Sequence, residues 1–266
     1  MPMNTLVVLA HPEPQSFNGH LARRAATAMT TGGNSVRLSD LYAEDFDPCE
    51  APRHFRSPRD PARFDPQAEQ RHAWDMKSLA EDVQRHIDDV LWADLVILQF
   101  PLWWFGVPAI LKGWMDRVFV YGGLYTSSRQ HDTGVCCGKK ILFSVTTGSP
   151  AAACAYNGRE GETALHLWPL MYAFRYIGFS VLQPFVFHGV RGGLAGAAAD
   201  AQRQRLLAVE DDYIRALSGI QARPGIPFNR EEDWDEADTL KPGAPVYSPF
   251  IRHRRVLDLT DSPGRQ

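Results

Sequence analysis

Residues 93 to 121 read ADLVILQFPLWWFGVPAILKGWMDRVFVY, and this stretch decides the fold. Asp94 to Phe100 is a short apolar run broken only by Gln99, the pattern of a strand buried on both faces. Pro101 ends the run. Three aromatics follow, Trp103, Trp104 and Phe105, and then Gly106. Pro108 opens a helix at its first position, where a fixed φ and a missing N–H do no harm. Ile110, Leu111, Trp114, Met115, Val118 and Phe119 then recur at helical spacing. A buried strand therefore carries an aromatic loop at its C-terminal end, where ligands bind in open α/β sheets. Rings in such a loop suit a flat, conjugated ligand; burial in the core is the other common use of large aromatics.

The same pattern recurs on either side. Thr5 to Ala10 (TLVVLA) reads as a first buried strand, followed by a loop from His11 to Asn18. Ser16 or Asn18 can cap the next helix, expected over Gly19 to Met29. Ser35 to Ser39 is a short second strand, and this β–α–β unit implies parallel pairing. Ala43 to Ala68, rich in Pro, Asp and Arg, reads as a surface excursion. Met76, Leu79, Val83, Ile87 and Val90 then predict an amphipathic helix over Gln67 to Leu91. Lys140 to Thr146 is a fourth strand, Thr163 to Tyr176 a helix that Pro169 must bend or restart, and Ser180 to His188 a fifth strand. Pro184 favours an edge position for that strand. A last helix spans Ala197 to Leu217. Five strands alternating with helices predict a doubly wound parallel α/β sheet of flavodoxin-like order 2-1-3-4-5 over residues 1–219. A Pro-rich C-terminal extension follows over 220–266, with a basic run, Arg252-His253-Arg254-Arg255, expected to be a solvated tail.

Composition narrows the function classes. Of the 266 residues 44% are hydrophobic and 22% charged, ordinary for a globular chain. A net charge of −3 argues against nucleic acid as partner. The four cysteines, Cys49, Cys136, Cys137 and Cys154, lack disulfide or zinc spacing. The remaining histidines are scattered without metal-ligand spacing, so no metal is expected. With no leader-like start and no apolar run long enough to span a membrane, cytoplasmic location and no membrane insertion are the expectations.

Three loops at strand C-termini carry the chemistry. The first, with His11, Ser16, Phe17 and Asn18, precedes a helix N-terminus, whose free N–H groups and dipole favour a phosphate; Ser16 and Asn18 also serve there as plain caps. The second is the aromatic loop. The third, Thr146-Thr147-Gly148-Ser149, is small and hydroxyl-rich, and otherwise an ordinary turn. There is no GxGxxG and no Walker lysine motif. A phosphate cradle, an aromatic wall and a donor-rich rim together suit a flavin.

The blocks LVVLAHPEPQSFNGHLA, ADLVILQFPLWWFGVPAILKGWMDRVF, LFSVTTGSP and LHLWPL make the chain resemble the FAD-dependent NAD(P)H:quinone reductases, the DT-diaphorase-like family, in order from about residue 5 to 215. The resemblance implies FAD, with FMN as the alternative, NADH or NADPH as co-substrate, and a quinone, azo or nitro compound as acceptor. The implied reaction is ping-pong, two-electron hydride transfer. It also implies a homodimer with pockets at the subunit interface. Carried over by position, His11, Ser16, Phe17 and Asn18 hold the pyrophosphate and ribityl region. Pro101, Leu102, Trp103, Trp104 and Phe105 border the isoalloxazine, and Thr146, Thr147, Gly148 and Ser149 line its pyrimidine edge. Arg203 falls near an adenine-side phosphate contact, and Tyr125 covers the substrate pocket from the partner subunit. A flavin-binding electron carrier, or a regulatory subunit of a membrane transporter, is the competing function.

Three departures stand out. Cys154 and Glu160 occupy positions where the family has a Tyr and a His near the flavin, and Trp103 replaces a glutamine, placing its ring at the cofactor and substrate. Glu160 either donates a hydrogen bond from a raised pKa or points away. Tyr156, two residues along, is expected to supply the missing hydroxyl as a catalytic and cofactor-binding group, with Glu160 accessory.

Overall fold

A computed structural model describes residues 2–253. Six strands and six α-helices follow one another as β1 Asn4–Leu9, α1 Phe17–Thr31, β2 Ser35–Asp40, α2 Pro66–Asp75, α3 Glu81–Trp92, β3 Leu95–Pro101, α4 Ala109–Val118, β4 Lys140–Thr146, α5 Thr163–Tyr176, β5 Ser180–Val181, β6 Phe185–Phe187 and α6 Gly196–Ser218. The strands pair in parallel in the order β2-β1-β3-β4-β5, with β6 also on β4. This is the doubly wound order expected. β3 lies at the centre, buried along all seven residues, as its unbroken apolar run requires.

Register sets the functional edge. Leu9 pairs with Gln99 and Pro101 with Thr146, so β1, β3 and β4 end at one level. The Ala10 N–H donates to Gln99 O and the Leu102 N–H to Thr146 O, extending the ladders into the loops. β1 and β3 pack on α1 and α6 through Val7, Leu9, Ile97, Leu21, Ala25, Met29, Tyr213 and Leu217.

Three expectations need correction. The helix expected over Gln67 to Leu91 is two helices, α2 and α3. Lys77 takes φ +53°, and the Ser78 N–H turns back to Ala73 O, which ends α2 without Gly or Pro. Met76, placed on the apolar face by its spacing, is 64% exposed. The fifth strand is interrupted: β5 and β6 both pair with β4 but are separated by Leu182, Gln183 and Pro184. Pro184 has no N–H to donate to a ladder. Pro108 stands one position earlier than expected, as the N-cap of α4. α5 continues through Pro169.

The chain divides into two compact units, the first running to Gly225 and the second starting at Ile226. The first extends past Gly219 because Ile220 is buried in the main core and Arg223 donates to Gln183 O and Pro184 O. Within the second, Asn229 donates to Pro245 O and Leu240 is buried. Arg254 and Arg255 of the basic run lie outside the described residues.

Candidate flavin site at the strand ends

The loop after β1 is folded tightly over the start of α1. Ser16 is the N-cap, its Oγ accepting from the Gly19 N–H at 3.1 Å. The His20 N–H donates to Ser16 O. The N–H groups of Phe17 and Asn18 thus remain without a hydrogen bond among the described residues, as the first turn of a helix leaves them. A Cβ on Gly19 would stand 2.4 Å from Pro14 O, so only glycine allows this loop to close on the helix. His11 is anchored by the Glu13 N–H donating to its Nδ1 at 3.0 Å, and its ring meets Trp103 at 5.8 Å.

Below this surface the three strand ends are tied together. Buried Asn18 donates to Thr146 Oγ1 at 3.0 Å and accepts from Gln99 Nε2 at 2.8 Å, while Ser144 Oγ donates to Gln99 Oε1 at 2.7 Å. These side chains are spent on one another. Asn18 and Thr146, expected against the cofactor, instead face inward and lock the loops in register. Pro101 is likewise buried as the last residue of β3.

The aromatic loop is a two-residue hairpin. Trp103 and Gly106 exchange both backbone hydrogen bonds at 3.0 Å, and the central residues Trp104 and Phe105 have φ of +51° and +60°. Such a turn favours Asn-Gly, because side chains are strained in that region. Here two large rings occupy it, and Trp104 is 96% exposed. The hairpin thereby leaves the Trp104 and Phe105 N–H groups without a hydrogen bond among the described residues.

Leu102, Trp104 and Phe105 form one wall of a cleft of about 220 Å³; Thr147, Gly148 and Ser149 form its floor, with Cys154, Glu160 and His166 on the remaining side. Thr147 Oγ1 donates to Ser149 O at 2.9 Å and lies 3.2 Å from His188 Nδ1. Burial and then the Arg205 guanidinium push His188 below its ordinary pKa, favouring the neutral ring there. The Arg191 Nε donates to Gly148 O at 3.3 Å.

Arg191 also borders a second cavity of about 690 Å³, together with Phe17, His20, Arg23 and Arg203. Its far side holds Glu210, bound by His20 at 2.7 Å and Arg24 at 2.5 Å. Burial pushes the Glu210 carboxyl up, but those two partners outweigh it and hold it below its ordinary value. Arg23, Arg191 and Arg203 are the arginines of the cavity lining. Tyr125 lies apart, lining a third cavity of about 920 Å³ with Tyr172 and Tyr176.

The geometry brings Leu102, Trp104, Phe105, Thr147, Gly148, Ser149 and Glu160 to the cleft and Phe17 and Arg203 to the neighbouring cavity, while His11, Ser16 and Trp103 line neither. It does not bring Tyr156 there: its ring is 87% exposed and outside the cleft lining, because the turn from Pro150 to Cys154 points residue 154 inward and residue 156 out. His166, Arg23 and Arg191 line the cavities without having been singled out. For His166 the available signal was its place just inside the helix that follows the Glu160 loop.

The sequence matches the family described as a flavodoxin-like fold over residues 3–209. It is 41% identical over 181 residues to human ribosyldihydronicotinamide dehydrogenase (quinone), covering 67% of this chain and 78% of that one. It is 39% identical to NAD(P)H dehydrogenase (quinone) 1 of Cavia porcellus, covering 70% of this chain and 68% of that one. The fold superposes on a Klebsiella pneumoniae protein described as a candidate quinone reductase with a TM-score of 0.78 and 31% identity, covering 90% of this chain and 94% of the other. With a sheet order, a strand-end cleft and relatives that all agree, the chain belongs to the flavodoxin-like family and, within it, to the group of the quinone dehydrogenases.

Proposed function

We propose that this chain is an FAD-dependent NAD(P)H:quinone oxidoreductase working as a homodimer. One observation carries the choice of FAD over FMN: a second, arginine-bordered cavity neighbours the cleft, its Arg191 donating to Gly148 O of the cleft lining. Either flavin would place its ring in the cleft and its first phosphate at the start of α1; only a dinucleotide would also carry an adenosine phosphate to Arg23 and Arg203. The donor set fits. The free N–H groups of Phe17 and Asn18 sit at the positive end of α1, where a phosphate is stabilised. The N–H groups of Trp104 and Phe105 lie on the hairpin tip, where ring oxygens and nitrogens can accept.

When bound, the flavin supplies the hydride chemistry; the protein supplies orientation and electrostatics. Phe105 and Trp104 would wall the ring in, and Thr147, held by Ser149 and beside His188, would set the Gly148 backbone toward the ring edge. Nicotinamide and quinone would bind against the ring in turn. Tyr125, remote from its own chain's cleft, is free to cover that of the partner subunit.

The test is NADH and NADPH oxidation by purified protein with and without a benzoquinone, alongside its mass in solution. Quinone-dependent turnover by a dimer is expected. A protein that holds flavin but passes electrons only to other proteins would make it a carrier.

A further inference from the structure

Two-electron reduction of a quinone adds a hydride and a proton, so the cleft needs a proton donor as well as a hydride source. Three titratable side chains line it: Cys154, Glu160 and His166. The Cys154 thiol is buried and faces Ser149 O and Thr147 Oγ1, each at 3.9 Å. Glu160 makes no side-chain hydrogen bond or ion pair among the described residues, so nothing holds its carboxyl in one orientation. That leaves His166.

We propose that His166 is a catalytic residue, the proton donor for quinone reduction. It stands one turn into α5, where its Nε2 lies 2.7 Å from Glu160 O. A carbonyl oxygen only accepts, so Nε2 carries hydrogen in every protonation state compatible with this bond. The tautomer is thereby set, and Nδ1 is the nitrogen that gains and loses a proton. The ring is held by Phe105, at 5.0 Å and 40°, on the same hairpin that walls the cleft. In the step, the Nδ1–H bond of the protonated ring breaks and an O–H bond forms on the quinone. The N–H electron pair stays on Nδ1. The two reducing electrons come from NAD(P)H as hydride through the bound flavin, and solvent returns the proton to Nδ1. The assignment rests on the functional reading above, and moves the role expected of Tyr156 to a residue inside the cleft.

His166→Gln separates donation from packing, because a glutamine amide can keep the bond to Glu160 O but cannot transfer a proton. In flavin-loaded protein, reoxidation by a benzoquinone is expected to slow at least ~100-fold, the usual range for general acids. Reduction by NAD(P)H, and reoxidation by ferricyanide, which takes electrons without a proton, should stay within about two-fold. His166→Asn, a shorter amide, should show the same split and serves if the glutamine variant folds poorly. A readout independent of turnover is the 15N spectrum of histidine-labelled wild-type protein. The signal absent from the variants should show the Nε2–H tautomer and shift on flavin addition. Wild-type quinone rates in both variants, or an Nδ1–H tautomer, would overturn the assignment while leaving the quinone reductase reading intact. A wild-type protein with neither flavin nor quinone turnover defeats both.

Discussion

Replacing Asn18 by leucine tests whether the strand ends are locked by buried polar groups. In the native chain Asn18 binds Thr146 and Gln99, and Gln99 binds Ser144, all within the buried end of the sheet. Asn18→Leu strips the acceptor from Gln99 Nε2 and the partner from Thr146 Oγ1. Each buried group left unsatisfied costs about 1–3 kcal/mol, so a loss of about 3 kcal/mol is expected. For a domain of this size that is a fall in Tm of about 6–12 °C. Gln99→Leu should cost about the same, since Ser144 loses its acceptor and Asn18 its shorter donor. The double variant removes both members, and should cost less than the sum by about 1–3 kcal/mol. Urea unfolding of flavin-free protein, followed by tryptophan fluorescence, measures all three. Single losses under about 1 kcal/mol, with additive effects, would refute the network as the element that holds the three loops together.

Other outcomes follow from the same geometry. Trp104→Asn with Phe105→Gly relieves two left-handed side chains and should raise stability by about 1–3 kcal/mol, while flavin affinity falls at least ~10-fold; a melting curve and a fluorescence titration check both halves. Burial pushes the Glu44 carboxyl up, but the His86 ring 3.3 Å away, Arg85 and Ser39 outweigh it and hold it at about 2, against an ordinary value of 4.5. A lowered carboxylate pKa stabilises the fold above its unfolded value and loses that contribution as pH falls through the folded one. Stability should therefore drop between pH 4.5 and 2, and Glu44→Gln should flatten that part of the profile. Glu160→Gln should raise the flavin midpoint potential, because it removes a carboxylate from the cleft wall; an anaerobic titration with unchanged or lower potential would contradict this. Arg203→Ala should weaken FAD more than FMN, and equal losses would place the adenine end elsewhere.

Much of the fold was legible because strands buried on both faces and amphipathic helices leave strong patterns. Lys140–Thr146 and Thr163–Tyr176 have the bounds their sequence predicts. The break between α2 and α3 was hidden, since Met76 and Leu79 keep the helical period while Lys77 turns the chain with no glycine to mark it. The site was legible as three loops, but not in the direction of each side chain. Asn18 faces inward because its partners lie 81 and 128 residues away, a distance no local pattern reports. Gln99 was the visible trace of that network, the one polar residue in an apolar run. Tyr156 and His166 exchanged places for a similar reason: the turn from Pro150 to Cys154 and the first turn of α5 decide which of them meets the cleft.

The most direct measurement is to unfold the purified protein and identify what it releases by chromatography, with reconstitution by added FAD and FMN in parallel. One FAD per chain is the expected result. Release of FMN alone would contradict the use of the arginine-bordered cavity by the cofactor, and a colourless chain that takes up neither flavin would contradict the site itself.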